Sequence, residues 1–433
     1  MEKRKIAFST FGCKLNFAET SAIARKFPGD QFETVEFREP ADIYVIHTCT
    51  VTTQAEKKCK AAIRQAIKRN PEASVAVIGC YSELKADELK KMKGVNIVLG
   101  NKDKYSLFDV ISGNRDQTDK EEVNFKTSRQ FEPGYSVNDR TRSFFKVQDG
   151  CDYFCSFCAI PFARGRSRSA DVASTLTVAS QIVSQGIREI VLTGVNIGDF
   201  GRQHGESFFE LLMGLSKVDV DRIRISSVEP ELLGNEIIEL VAGSGKFMPH
   251  FHIPLQSGND RILGLMKRKY KREVFAQRVH YIKKLMPDAC IAADVIIGFP
   301  GETDEEFEDT CNFILNLPVS YLHVFTYSVR PGTRAAIMPD QIPDSIKQER
   351  SRKLHRISDL KKNEFYLQNQ GSVRSVLWES DTEDGFIFGF TDNYIRCKKM
   401  FSMEAINNIE TIKLKQPDTD GVFMVSFPDN QTR

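Results

Sequence analysis

The stretch SFFKVQDGCDYFCSFCAIPFARGRSRS, residues 143–169, decides how this chain is read. Its opening is an apolar run that ends at Asp149 and Gly150, the pattern of a buried strand entering a turn. The turn carries Cys151, Cys155 and Cys158 as C-x-x-x-C-x-x-C. A structural zinc site wants four ligands, yet no further Cys or His follows before His204. A catalytic zinc keeps three protein ligands, although a triple-thiolate loop this tight is an odd choice for one. Thiolates also hold iron–sulfur clusters. A four-iron cluster on three cysteines leaves one iron open, free to chelate the amino and carboxylate groups of S-adenosylmethionine. One electron then splits the sulfonium to a 5′-deoxyadenosyl radical.

Working outward, EIVLTG, RIRISS, FHIPLQ, ADVIIGF and LHVFTYS repeat the strand pattern, each separated from the next by a helix-sized segment. Six β/α units are too few for a closed eightfold barrel, so residues 139–368 read as a partial (β/α)6 barrel. Ligands of parallel folds collect at the C-terminal strand ends, which is where the three cysteines lie. The charged segment 343–368 reads as a long closing helix. Residues 1–112 alternate short apolar strands with amphipathic helices, which implies a doubly wound parallel sheet. The polar stretch 113–138 reads as a linker, and residues 369–433, with short alternating strands, as a small β-barrel. The fold class is α/β.

The chain has 10 cysteines and a net charge of +2. No signal-peptide core or membrane-length apolar run is present, so a soluble cytoplasmic protein with few disulfides is expected. Cys59, Cys290, Cys311 and Cys397 look like buried apolar residues. Cys13, Cys49 and Cys80 differ, because each closes a strand of the N-terminal sheet (STFGC, VIHTC, VIGC). Strand ends at one edge of a parallel sheet converge, so these three make a second three-thiolate site. Zinc fits it too, but the neighbouring triplet favours iron–sulfur. Basic residues are clustered within 56–69 and 261–272 and at Arg164, Arg166 and Arg168. Singly, such clusters are usually solvated faces; three together point towards a polyanion.

The C-x-x-x-C-x-aromatic-C run after a first barrel strand resembles the radical-SAM superfamily signature, and the whole chain resembles the methylthiotransferase family. The resemblance rests on FGCKLNFAET, HTCTVTTQAEKKC, GCYSE, LTGVNIGDFG, SSVEP, HIPLQSG, DVIIGFPGET and LHVFTYSVRPGT, with a C-terminal segment similar to the TRAM module. It implies two [4Fe-4S] clusters, on Cys13/Cys49/Cys80 and on Cys151/Cys155/Cys158. It also implies S-adenosylmethionine held at the barrel mouth: Phe157 against the adenine, then Gly194, Asn196, Ser226, Ser227, Glu229, Gln256, Ser257, Asp294 and Gly298. Each of these positions equally suits a turn, a cap or packing.

Within that family GCKLN, IPFARGRSRS and LHVFTYSVRPGT look most like the subgroup acting on N6-threonylcarbamoyladenosine at position 37 of tRNA, beside the anticodon. The implied reaction inserts a methylthio group at C2. The auxiliary cluster supplies sulfur, one S-adenosylmethionine methylates it, and a second yields the radical that removes hydrogen. An electron donor and a sulfur donor are implied partners. The substrate carboxylate wants a cation, for which Arg164, Arg166 and Arg330 are candidates; Lys267, Arg268, Lys269, Lys271 and Arg272 are candidates for tRNA phosphates. The TRAM-like segment, net acidic with seven Lys/Arg against ten Asp/Glu over 370–433, must meet RNA by a local face, aromatic contacts or shape. Alternatives are a methylthiotransferase acting on isopentenyladenosine-37 or a ribosomal-protein aspartate, and a non-catalytic iron–sulfur or zinc RNA-binding protein.

Overall fold

The computed structural model describes residues 2–116, 130–137, 139–418 and 421–425. Much of the expected linker, residues 117–129 and 138, therefore lies outside the described residues.

Strands β1 (Arg4–Thr10), β2 (Phe32–Val35), β3 (Ile43–Thr48), β4 (Ser74–Gly79) and β5 (Ile97–Leu99) form a parallel sheet in the order β2-β1-β3-β4-β5. β3 is buried along its whole length, as an apolar central strand must be. β2 was not expected: FETV is a short, half-polar edge strand with two exposed residues, too brief for an alternation signal. Helices α1 (Lys14–Ala24), α2 (Thr53–Arg69) and α3 (Cys80–Leu84) follow β1, β3 and β4. α2 is capped by Thr52, whose hydroxyl accepts from the Ala55 amide, and it ends on Lys68 and Arg69, as the helix dipole favours.

The barrel is built on two half-sheets. β6 (Gly134–Tyr135) pairs antiparallel with β7 (Ser143–Lys146), and the hairpin-like pair β8 (Gln148–Asp149) and β9 (Arg168–Ser169) brackets the cysteine loop. With β10 (Glu189–Thr193) and β11 (Arg222–Ile225) the first half-sheet runs β11-β10-β7-β6. The second is β12 (His250–Gln256), β13 (Cys290–Ile297) and β14 (Tyr321–Thr326). Isolated parallel bridges, Ile223 to Phe247 and Ser227 to His252, join them, giving the open six-unit barrel. One large core, including Ile190, Leu192, Ile223, Ile253, Ala293 and Val295, fills the space between strands and outer helices. Alternate residues face the lumen.

The expected closing helix is Asp344–Asn369. Beyond it β15 (Val373–Glu383), β16 (Phe386–Thr391), β17 (Arg396–Met400), β18 (Ile409–Lys413) and β19 (Phe423–Met424) make a curled sheet, antiparallel except for the β17–β19 pair. This module closes the N-terminal end of the barrel strands. Arg142 donates to Glu379 at 2.8 Å, Arg224 to the Asp392 carbonyl at 3.1 Å, and Tyr394 lies 4.3 Å from the His250 ring. Cys59, Cys290, Cys311 and Cys397 are all buried.

Candidate active site

α1 enters the open side of the barrel. Its Phe17 meets Phe144 edge-on at 6.3 Å, and Ala18 packs with Phe144 and Val191 on the lumen face of the first half-sheet. Because α1 starts directly after Cys13 and ends β1's turn, the N-terminal sheet presents its strand ends to the barrel mouth. Gly12 and Gly79, each directly before a cysteine, have φ of +103° and +101°. A Cβ on Gly12 would sit 2.8 Å from Cys49 Sγ, so only glycine lets these chain segments close up. Cys13, Cys49 and Cys80 thereby come within electrostatic reach of one another. Cys49 and Cys80 are buried and Cys13 is exposed.

The second triplet lies across the mouth. The Tyr153 amide donates to Cys151 Sγ at 3.4 Å, the Cys158 amide to the Cys155 carbonyl at 3.0 Å, and Arg268 Nη1 to Cys155 Sγ at 3.1 Å. Burial, and then the neighbouring thiols, push Cys151 above its ordinary value; burial pushes Cys158 up to about 12 and Cys49 to about 12. Protein alone leaves these groups as neutral thiols, and a metal centre would deprotonate them.

Two observations test the fit of a cluster. A single zinc ion, with Zn–S near 2.3 Å, draws tetrahedral sulfurs to about 3.8 Å apart. Among the described residues the one group of three metal-ligand side chains within 4.8 Å is His252, Asp294 and His323, not a cysteine triplet. Both triplets have a wider spacing, and both have sulfur-directed donors: Arg268 at Cys155, and Asn101 Nδ2 at 3.3 Å from Cys80 Sγ. Such donors tune a cluster. Three soft ligands with an open side fit an iron–sulfur cluster at each triplet.

A buried charge network joins the two sites. Glu19 accepts from Lys104 (2.5 Å), Lys146 (2.8 Å) and Arg164 (3.1 Å), while Asp149 takes Arg164 (2.9 Å) and Arg168 (2.7 Å). Burial opposes ionisation of Glu19, but its three cations outweigh it and hold the carboxyl well below the ordinary range. Helix Ile160–Arg164, starting two residues after Cys158, delivers Arg164 to the N-terminal triplet.

The remaining positions singled out from sequence separate into groups. Asn196 Oδ1 and Gln256 Oε1 are buried with no partner, and Gln256 sits at a bulge with φ +63°. Gly194 lies where a Cβ would come 2.9 Å from Gln148 Oε1, the oxygen that receives the Val195 and Asn196 amides. Phe157 packs edge-on against Phe299 at 6.5 Å. Ser226 is buried, and Ser227 bridges to His252. Glu229 pairs with Arg268; burial pushes its carboxyl up to about 7 against the guanidinium's pull. Ser257 serves a turn, accepting from the Asn259 amide at 3.2 Å, and Gly298 has φ +69° against the Lys347 stem. Asp294 accepts from His252 Nε2 at 2.6 Å in the lumen.

The arginines expected to meet the substrate carboxylate are already engaged. Arg164 is wholly internal, Arg330 is held by Glu56, Thr53, Ser328 and the Thr50 carbonyl, and exposed Arg166 faces Asp152. The basic cluster at 267–272 also divides. Arg268 is buried against Glu229 and Cys155, and Arg272 binds Asp309, while Lys267, Lys269 and Lys271 stay exposed. Sequence reading passed over Lys14 and Glu19, whose placement comes from α1 entering the barrel, and His252 and His323, which β12 and β14 bring together.

A partial β/α barrel with three cysteines on the loop after its first long strand is the architecture of radical S-adenosylmethionine enzymes, and residues 145–314 match the Radical SAM superfamily. Residues 5–100 match Uncharacterized protein family UPF0004. The chain is 39% identical over 445 residues to the threonylcarbamoyladenosine tRNA methylthiotransferase MtaB of Bacillus subtilis, covering 99% of this chain and 98% of that protein. It is 38% identical to the MtaB of Aquifex aeolicus, covering 91% and 96%. Against the tRNA-2-methylthio-N(6)-dimethylallyladenosine synthase of B. subtilis the identity is 30%, covering 96% and 84%. The chain belongs to the methylthiotransferase family of radical S-adenosylmethionine enzymes. In fold it resembles the radical S-adenosylmethionine methyltransferase TsrM from Kitasatospora setae, with a TM-score of 0.55 at 16% identity over 78% of this chain and 77% of that one.

Proposed function

We propose that this protein inserts a methylthio group at C2 of N6-threonylcarbamoyladenosine at position 37 of tRNA. The observation that carries the reading is the near full-length identity to two MtaB proteins, joined to two cysteine triplets facing one barrel mouth. In this reading each triplet holds a [4Fe-4S] cluster. When bound, the clusters and S-adenosylmethionine supply the sulfur, the methyl group and the one-electron chemistry that an inert C–H bond requires.

The chain's own residues bind, orient and exclude water. Asn196 Oδ1 and Gln256 Oε1, buried and unpartnered, are acceptors for S-adenosylmethionine, and Phe157, backed by Phe299, is the packing surface for its adenine. Gly194, Ser226, Ser227, Glu229, Asp294 and Gly298 line the same mouth. The Glu19–Arg164–Asp149 network fixes the N-terminal sheet on the barrel, so that the distance between the two triplets is set by buried ion pairs. Arg268 lends positive charge to Cys155. Exposed Lys267, Lys269 and Lys271 face the tRNA backbone. A one-electron donor and a sulfide source are required partners, and the substrate places the protein in the cytoplasm. No helix among the described residues is long and apolar enough to cross a membrane.

Mass spectrometry of tRNA nucleosides from cells lacking the protein tests the reading. Loss of 2-methylthio-N6-threonylcarbamoyladenosine, with its unmethylthiolated precursor accumulating, is the expected result. Loss of the dimethylallyl form instead would replace the substrate while keeping the chemistry.

A further inference from the structure

Lys14 is the first residue of α1, immediately after Cys13, and it is half-buried. α1 packs on the lumen face through Phe17 and Ala18, which turns the start of the helix inward. The charges that act on the Lys14 ammonium come from the closed end of the barrel, Arg142, Arg224 and Glu189, and from Asp294 in the lumen. It acts in turn on His250 and His323.

The buried cations at the mouth and in the lumen are paired: Lys146 and Arg164 to Glu19, Arg224 to Glu189, Arg268 to Glu229, Arg330 to Glu56. Lys14 makes no hydrogen bond or ion pair among the described residues. On the second half-sheet, His252, Asp294 and His323 bring ligand atoms within 4.8 Å of one another, and His252 and Asp294 are joined at 2.6 Å. Among the described residues the lumen thus offers one uncommitted ammonium, on the helix that starts at Cys13 and within reach of both the closed-end charges and the polar wall of the second half-sheet.

We infer that Lys14 is the substrate anchor, its ammonium taking the carboxylate of the N6-threonylcarbamoyl group while the polar wall of His252, Asp294 and His323 faces the rest of that substituent. This rests on the substrate reading proposed above. The group carries the one carboxylate on the modified base, and an ammonium–carboxylate bond in a largely desolvated lumen is a strong, directional contact. The same Lys14 disfavours an apolar N6 substituent, which would bury the ammonium without a partner. Specificity therefore has an attractive and a repulsive part.

The test uses the full chain with both clusters reconstituted and three anticodon stem-loops. One carries the threonylcarbamoyl group, one its primary-amide analogue lacking the carboxylate, and one the dimethylallyl group. Wild type should lose about 10- to 100-fold in kcat/KM, and similarly in stem-loop affinity, from acid to amide. Lys14→Gln should suffer that loss on the acid and show under about a twofold difference between acid and amide. Lys14→Arg, which keeps the charge, should retain the discrimination, and Lys14→Met should gain on the dimethylallyl stem-loop relative to the acid.

Iron content and thermal midpoint report whether each variant folds. A variant-free measurement stands beside them: carbodiimide activation of the bound wild-type acid stem-loop should couple its carboxylate to Lys14, mapped by peptide mass spectrometry. Equal turnover of acid and amide by wild type, full discrimination by a folded Lys14→Gln, or coupling only to other lysines each overturns the assignment. Turnover of the dimethylallyl stem-loop with none of the threonylcarbamoyl one would instead overturn the substrate reading, a distinguishable result.

Discussion

Cys151, Cys155 and Cys158 occupy eight consecutive residues of one loop, whereas Cys13, Cys49 and Cys80 are gathered from the ends of three strands across a span of 67 positions. The first triplet depends on local chain geometry: one loop amide donates to Cys151 Sγ, another closes the turn on the Cys155 carbonyl, and Arg268 donates to Cys155 Sγ. The second depends on a whole sheet, on two glycines at positive φ, and on a charge network whose cations come from elsewhere in the chain. Contiguous ligands make a site that stands with its loop. Dispersed ligands make a site that stands only with the domain, and here only with the docking of that domain on the barrel.

The largest effects should break the pair apart. Changing Cys151, Cys155 and Cys158 together to Ala should remove about half the iron and all S-adenosylmethionine cleavage. Changing Cys13, Cys49 and Cys80 should remove the other half, leaving 5′-deoxyadenosine formation but abolishing methylthio insertion. Iron analysis with chromatography of deoxyadenosine and modified nucleosides separates the outcomes. If deoxyadenosine formation falls in step with methylthiolation in the second variant, the triplets do not act as separate sites.

Glu19→Gln sharpens the dependence of the second triplet on docking. It leaves Lys104, Lys146 and Arg164 buried around a neutral amide, a class of change that costs about 3–5 kcal/mol. Denaturant unfolding should show that loss. Iron should be lost preferentially from the N-terminal triplet, since Arg164 lies between it and Glu19. Equal loss from both triplets would mean that the network serves the fold as a whole.

The same contrast explains what could be read from sequence. Six barrel strands, the parallel N-terminal sheet and the closing helix announced themselves as apolar runs spaced by helix-sized segments, because each pattern is local. The cysteine loop was legible for the same reason. The second triplet was legible only because parallel topology forces strand ends to one edge. Nothing local signals that Glu19, in the middle of α1, meets Lys146 from 127 residues away, or that Lys14 reaches the lumen. Arg164 and Arg330 read as free cations because their partners, Glu19 and Glu56, lie 145 and 274 residues away. The curled C-terminal sheet was foreseeable from its alternation, but its seat at the closed end of the barrel was not.

That closed end carries the same device away from either cysteine triplet, and allows a smaller test. Burial works against ionisation of Glu189, yet Arg224, Arg142 and Arg222 outweigh it and hold the carboxyl down at about 2. A carboxyl depressed in the folded state stabilises fully above its ordinary value of 4.5, and loses that contribution as pH falls from there towards about 2. The wild-type unfolding midpoint should therefore fall between pH 5 and pH 3, and Glu189→Gln should flatten that part of the profile. Parallel profiles for the two proteins would remove Glu189 from the acid response.

The smallest effect concerns the surface beside the two sites. The cations that reach the N-terminal triplet are buried and spent on Glu19 and Asp149, whereas the loop triplet has exposed lysines next to it. Lys267 adjoins Arg268, and Lys269 lies 3.7 Å over the ring of Tyr153, within the cysteine loop itself. If tRNA approaches from the barrel side, changing Lys267, Lys269 and Lys271 to Ala should weaken binding at low salt and flatten the log-affinity against log-salt slope by roughly 2 to 3, each phosphate contact contributing somewhat under one. Because Lys267 and Lys271 make no ion pair among the described residues and Lys269 only a ring contact with Tyr153, the thermal midpoint and iron content should change little. Adding Arg268 to the set should behave differently, costing iron at the loop triplet as well as affinity, since its guanidinium is buried between Glu229 and Cys155. A slope unchanged by the three lysines would place the tRNA backbone elsewhere, with the basic face of α2 on the N-terminal sheet as the next surface to neutralise.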